Sequence, residues 1–214
     1  MNNLNKMLKQ IIENKKKEIE FAKKSMPLDS FKPKIQKSTR DFKEALSKNK
    51  LNLIAEFKRK SPSGNIKNNE FDTEKIINIY NQYADAISVL TDSKFFSGSL
   101  EDLKQVSSLT KLPLLRKDFI IDEYQIYESK AAGADVILLI AAILKPEEVK
   151  RFSAIAKQLS LEVLLEIRNE RELDLYYNND VDIVGVNNRN LDSLETDINN
   201  SFGLAEKIPT GIIK

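Results

Sequence analysis

Neither cysteine nor histidine occurs anywhere in the 214 residues. That double absence rules out disulfides, cysteine nucleophiles, serine–histidine triads and most transition-metal sites. Any proton transfer must fall to carboxylates, lysines or tyrosines. A chain without cysteine also agrees with a reducing compartment, so a cytoplasmic location is expected. Long apolar runs are missing too. The longest, Val136 to Leu144, is about half the roughly 18 residues of a membrane span and reads as a buried parallel strand with its loop. The N-terminus, MNNLNKMLKQII, lacks the uninterrupted apolar core of a secretory signal. Charge of one sign is scarce, with a formal net charge of only +2. The densest basic run, Lys15, Lys16 and Lys17, sits beside Glu13 and Glu18 and reads as a solvated helix face. Neither nucleic acid nor a membrane is therefore expected as a partner.

What is present is apolar material for one sizeable core. Hydrophobic residues make up 41% and charged residues 31%, in a chain too short for two ordinary α/β domains. Residues 4–25 carry Leu4, Met7, Leu8, Ile11, Ile12, Ile19 and Ala22 at helical spacing. Pro27, Leu28 and Pro33 break that pattern, and Thr39 is positioned to cap a short second helix with Phe42, Ala45 and Leu46. From Leu51 the pattern changes. Strands are expected near 51–58, 86–90, 113–118, 135–140, 162–166 and 182–187. Helices are expected over 72–84, 99–108, 122–132, 146–159, 169–177 and 199–207. Ser99 with Asp102 resembles a capping box, Pro146 with Glu147 and Glu148 suits a first turn, and Gly133 suits a helix stop. A seventh strand is expected to begin at Ile212. One strand and one helix every roughly 20–35 residues is the mark of a parallel α/β fold. Residues 1–50 then form an N-terminal helical extension and residues 51–214 about six β/α units.

An open doubly wound sheet and a (β/α)8 barrel both fit this alternation. Polar residues at strand ends favour the barrel. Strands 1, 3, 5 and 6 end in Glu56 and Lys58, Lys117 and Asp118, Glu166, and Asn187 and Arg189. Open sheets gather function at one switch point, whereas barrels gather it from the C-terminal ends of many strands. Period two places Glu56 and Lys58 on one face of their strand. Together in a barrel interior they are either a buried ion pair or a reactive couple, and buried pairs add little stability. Lys117, after an apolar run, is open to two readings: a partly desolvated ammonium able to donate a proton, or a lysine snorkelling to the rim. Glu166 follows three apolar residues, an environment that raises a carboxyl pKa and suits a base. Asn187 and Arg189 suit the orientation and anchoring of an anion. Phe96 and Phe119 could stack on an apolar ring, although core packing explains either one alone.

Five segments taken together resemble the indole-3-glycerol phosphate synthase family. They are Ile54-Ala-Glu-Phe-Lys-Arg-Lys-Ser-Pro-Ser-Gly64, Ser88-Val-Leu-Thr-Asp-Ser-Lys-Phe-Phe-Ser-Gly98, Leu115-Arg-Lys-Asp-Phe-Ile120, Gly133-Ala-Asp135 and Gly185-Val-Asn-Asn-Arg189. The resemblance implies a TIM-type (β/α)8 barrel with a helical extension. It implies a carbon–carbon lyase of tryptophan biosynthesis that closes the indole ring of a carboxyphenylamino-deoxyribulose phosphate with loss of carbon dioxide and water. No metal or organic cofactor is implied. Carried over by position, Lys117 resembles the general acid at the ketone oxygen and Glu166 the group handling the proton of rearomatisation and dehydration. Glu56 resembles the carboxylate that positions the lysines and the substrate amine, and Lys58 the cation facing the substrate's carboxylate or phosphate. Asn187 resembles the orienting amide, Arg189 its electrostatic support, Ser61 a residue of the covering loop, and Phe96 and Phe119 the aromatic walls.

The family pattern continues through two further β/α units with phosphate-binding loops and a Glu-Ser-Gly element, which this sequence does not contain. Six units do not close an eight-stranded barrel. The 214-residue chain by itself is therefore expected to bind its substrate poorly and to turn over weakly or not at all. Monomers, weak homo-oligomers or association through open sheet edges are expected. The competing readings are another phosphate-binding barrel, such as a phosphoribosylanthranilate isomerase-like enzyme, and a non-catalytic barrel fragment.

Overall fold

The computed structural model describes residues 6–31, 33, 35–48, 50–61, 64–65, 72–189 and 196–214. Helix α1 (Lys6–Ser25) buries Leu8, Ile11, Lys15 and Ile19, which share one face at helical spacing. It stops two residues before Pro27, whose ring cannot continue a helix. Helix α2 (Phe42–Leu46) is capped by Asp41, whose carboxylate accepts the Glu44 N–H at 2.7 Å. The expected cap at Thr39 is corrected here: Asp41 sits directly before the first helical residue, where its oxygen can reach an orphan N–H.

Six parallel strands follow: β1 (Ile54–Phe57), β2 (Ala86–Leu90), β3 (Leu114–Lys117), β4 (Val136–Ile140), β5 (Glu162–Ile167) and β6 (Ile183–Val186). They lie side by side in chain order, as successive right-handed crossovers dictate. The helices between them are α3 (Thr73–Tyr83), α4 (Ser93–Phe96), α5 (Leu100–Leu109), α6 (Glu123–Ala131), α7 (Pro146–Gln158) and α8 (Glu170–Tyr176), with α9 (Asn199–Ala205) after β6. Aspartate, serine or asparagine caps most of them: Asp72, Asp92, Ser99, Asp122 and Asn169 each accept a first-turn N–H. Pro146 opens α7 as expected. Gly133 adopts φ +91°, and a Cβ there would meet Ser107 Oγ at 2.6 Å, so only glycine suits the stop. The one-turn helix α4 had no periodic signal to announce it. Among the described residues no helix is long and apolar enough to cross a membrane.

Alternation divides the strands into two faces. Phe57, Ile87, Val89, Leu114, Ile137, Leu139, Val163, Leu165 and Val184 pack in the layer under the helices. Ala86, Leu115, Val136, Leu138, Ile140, Leu164 and Ile183 pack together on the other face, the interior of a curled half-barrel. Phe42 and Leu46 join that inner cluster, so α2 forms its floor. Glu162, at the start of β5, fixes the floor by accepting the N–H groups of Phe42 and Lys43 at 2.7 and 2.9 Å. The sheet is bounded by β1 and β6. Of the expected seventh strand, one parallel bridge between Ile213 and Ile183 is formed.

Phe42 has no exposed surface. Phe42→Ala is expected to destabilise the chain by about 3–5 kcal/mol, as large-to-small changes in cores do. Urea unfolding checks this, and a loss below about 1 kcal/mol would show that α2 does not close the floor.

Candidate active site

The C-terminal ends of the strands carry the charged groups singled out in the sequence. Phe57 is buried under the helices, so period two turns Glu56 and Lys58 to the inner face. Lys58 Nζ lies 2.5 Å from Glu56 Oε1, and Lys117 Nζ bonds the other oxygen, Glu56 Oε2. Ser88 separates the two partners on β2, in register with Glu56 on one side and Leu115 on the other. From α3, the Tyr80 hydroxyl donates to the Glu56 backbone carbonyl at 3.0 Å. Burial works to raise the Glu56 pKa, but the hydrogen bonds and charges of Lys117 and Lys58 outweigh it and hold the carboxyl below its usual range. The side chains of Glu56, Lys58 and Lys117 remain 28%, 32% and 38% exposed. Lys117 is thus neither deeply desolvated nor snorkelled. It is paired at the rim of the inner face.

Glu166 ends β5 on the same face. Asn187, just after β6, donates its side-chain N–H to Glu166 Oε1 at 2.9 Å, and its own carbonyl oxygen accepts the Arg189 backbone N–H. Burial raises the Glu166 pKa, while the Asn187 hydrogen bond and the Lys117 charge oppose the rise without cancelling it. Glu166 pairs with inner-face Ile140, and Lys117 stands two residues after inner-face Leu115, so both groups lie on the inner face at the strand ends. The Phe96 and Phe119 rings stand 6.3 Å apart at 36°, both half-buried. Arg189 is exposed at an isolated bridge to Thr196. Ser61 belongs to a short antiparallel ladder of Lys60–Ser61 with Gly64–Asn65, and its side chain lies outside the described residues. Among the described residues no cluster of three acidic side chains is arranged to hold a metal.

Behind this mouth lies a second set of charges, of which the strand-end reading named only Asp118. Lys15 is 4% exposed, which corrects its reading as part of a solvated face. Its ammonium lies 2.9 Å from Glu18, 3.0 Å from Asp92 and 2.9 Å from Asp118. The signal was in the sequence: Leu8, Ile11, Lys15 and Ile19 form one i, i+3, i+4 stripe, so Lys15 shares the buried face while Lys16 and Lys17 do not. Asp118 also binds Arg116, which reaches Glu128 at 2.8 Å and Ser129 at 3.1 Å.

A curled parallel sheet with helices on its convex face and a lysine–glutamate cluster at the strand ends defines a β/α-barrel enzyme of the TIM type. A sequence profile described as indole-3-glycerol phosphate synthase matches residues 8–214. The indole-3-glycerol phosphate synthase of Bacteroides thetaiotaomicron is 44% identical over 95% of this chain, which spans 79% of that protein. The one from Lachnospira eligens is 44% identical over 94% of the chain and 73% of its own length. The tryptophan biosynthesis protein TrpCF of Vibrio cholerae is 42% identical over 97% of the chain and 44% of its own. The chain belongs to the indole-3-glycerol phosphate synthase family.

Buried Asp118 yields a prediction about acid. Burial would raise its pKa, but Arg116 and Lys15, with the Thr91 hydroxyl, hold it down to about 2 against an ordinary 3.8. A depressed pKa adds stability that is full above about pH 4 and is lost as pH falls through the folded value near 2. Acid titration of unfolding is expected to show a limb in that window, and Asp118→Asn to flatten it. An unchanged limb in the variant would assign the acid sensitivity elsewhere.

Proposed function

We propose that this site closes an indole ring on a carboxyphenylamino-deoxyribulose phosphate, and that Lys117, Glu166, Glu56, Lys58 and Asn187 perform the chemistry. The observation that carries the reading is the Lys117 ammonium bonded to Glu56 while its charge also acts on the Asn187-bonded Glu166. The reaction needs a proton donor at a ketone oxygen and, later, a proton acceptor. A paired ammonium and a carboxylate of raised pKa fit these two tasks.

The aryl ring packs against the Phe96–Phe119 pair, so that the ring carbon bearing the carboxylate starts close to the ketone carbon. As the carbon–carbon bond forms, Lys117 protonates the ketone oxygen. Lys58 holds the aryl carboxylate, or the phosphate, by charge. Carbon dioxide then leaves, and its bonding electrons restore the aromatic ring. Glu166 takes the proton from the carbon beside the nitrogen and passes it to the new hydroxyl, which leaves as water, with Asn187 orienting its carboxylate. Glu56 keeps the two lysines in place and faces the substrate amine. Arg189 adds positive charge beside Asn187, and Ser61 belongs to the loop that covers the site. No cofactor is required by this sequence of steps. Residues 1–50 act as an extension of the barrel formed by residues 51–214 rather than as a separate domain, in a cytoplasmic monomer or weak homo-oligomer.

Conversion of the phosphorylated substrate, followed by the indole fluorescence of the product, tests the reading. Lys117→Met is expected to lower turnover by about 10²–10⁴-fold, the usual weight of a general acid. Equal rates in variant and parent would overturn it. The pH profile offers a second check. Loss of the Asn187 hydrogen bond removes an effect that lowers the Glu166 pKa. Asn187→Leu should therefore move the acid limb of kcat/KM to higher pH, and a limb that stays or moves down would remove Glu166 from the role of base.

A further inference from the structure

Asp118 stands in sequence between two residues of the site, Lys117 and Phe119, yet its carboxylate is buried among groups that never face the mouth. Oδ1 accepts the Phe119 N–H at 2.8 Å and lies 2.9 Å from Lys15 Nζ. Oδ2 accepts the Thr91 hydroxyl at 2.6 Å and the Arg116 guanidinium at 3.1 Å. A carboxylate offers about four lone-pair positions, and all are taken. The partners come from α1, from the loop after β2 and from β3 itself.

Each partner leads back to the site by a second route. Thr91 donates its backbone N–H to the Lys117 carbonyl at 3.2 Å. Lys15 also binds Asp92, which caps α4 through the Phe95 N–H at 2.8 Å, and Phe96 is the last residue of α4. Arg116 precedes Lys117 and is itself anchored to the Gln125 carbonyl of α6 at 3.1 Å. The backbone on both sides of Lys117, and the helix turn that carries Phe96, therefore share one buried carboxylate. Buried ion networks contribute little net stability, because desolvation offsets attraction, but they tolerate few alternative arrangements. A group bonded by four donors from three elements fixes position more than it adds energy.

We propose that Asp118 is the positioning residue of this site, holding Lys117 against Glu56 and Phe119 against Phe96 through Thr91, Arg116 and Lys15. This rests on the assignment of Lys117 and the two rings given above.

The test uses the 214-residue chain, an amine-selective reagent (trinitrobenzenesulfonate) and peptide mapping of each lysine. In Asp118→Asn, Lys117 is expected to label about tenfold faster, as loss of a charge-assisted hydrogen bond implies, with exposed Lys150 unchanged as the reference amine. Thr91→Val, which removes one donor and keeps the charges, is expected to show a smaller acceleration at the same lysine and serves if Asp118→Asn does not fold. Labelling of Lys117 within twofold of the parent in a folded variant overturns the proposal. So does equal acceleration at every lysine, which would make Asp118 a residue of general stability. Turnover of Lys117→Met against the parent judges the assignment of Lys117 separately. Turnover unchanged in Lys117→Met, with accelerated Lys117 labelling in Asp118→Asn, would retire the assigned chemistry and keep the positioning role.

Discussion

Two ammonium groups share one carboxylate at Glu56, and the rest of the mouth is arranged around that arrangement. Lys58 lies on the same strand as Glu56, but Lys117 comes from β3, with β2 in between. Neighbouring strands run about 4.8 Å apart, so a flat sheet would hold β1 and β3 roughly 10 Å from each other. A lysine can span that gap only over a small residue and along a concave face. Ser88 supplies the small residue, and the curl of the sheet supplies the concavity. A bulky side chain at Ser88 would stand in the path of the Lys117 ammonium. The shared carboxylate also leaves the trio with one net positive charge, two ammonium groups against one carboxylate. Such a cluster draws an anion to the mouth and still has a cation to offer once the anion arrives.

The second ionic layer explains how these tips stay in place. Strand ends run into loops, and loops are the more mobile part of a fold. Here the loops after β2 and β3 are tied to α1 by Lys15 and to α6 by Arg116. Lys15 is raised above its usual pKa despite burial, because Asp118 and Asp92 favour its charged form. A helix that precedes the barrel in sequence thus sets the geometry at the strand ends. The inner floor, formed by Phe42 and Leu46, is held at the opposite end by Glu162. Between floor and mouth, apolar residues fill the interior, so the polar groups at the top can move little without disturbing a packed core.

Much of this was legible in the chain itself. Period-two alternation around Phe57 placed Glu56 and Lys58 on one face, and the apolar runs before Lys117 and Glu166 placed both at strand ends. Glycine, proline and capping residues marked the helices within a residue or two, because turn and cap chemistry is local. What escaped was what local pattern does not encode. Lys15 was masked by Lys16 and Lys17, since a charge run reads as solvated unless each position is mapped onto its helical face. The exposure of Lys117 could not be read from its strand, because its partner lies two strands away. Asp41 displaced Thr39 as a cap since cap choice depends on where the backbone first turns helical. The four residues of α4 are too few to show a period. Asp118 was visible as an unusual polar residue, but its partners Lys15, Thr91 and Arg116 lie on separate elements, and a single sequence does not say that they meet.

The two carboxylates of the mouth illustrate how one face can shift the same residue type in opposite directions. Glu56 and Glu166 are the same residue type at the ends of two strands of one sheet, yet their environments push them apart. Glu56 is half-buried with an ammonium on each oxygen, and stays ionised. Glu166 is more deeply buried and bonded to a neutral amide, and Lys117 acts on it through charge, so burial prevails and its proton is held more tightly. Lys117 is common to both. While it binds Glu56 its charge also restrains the rise at Glu166. The two carboxylates are thereby linked through one ammonium, and the link persists only as long as the backbone around Lys117 holds its place.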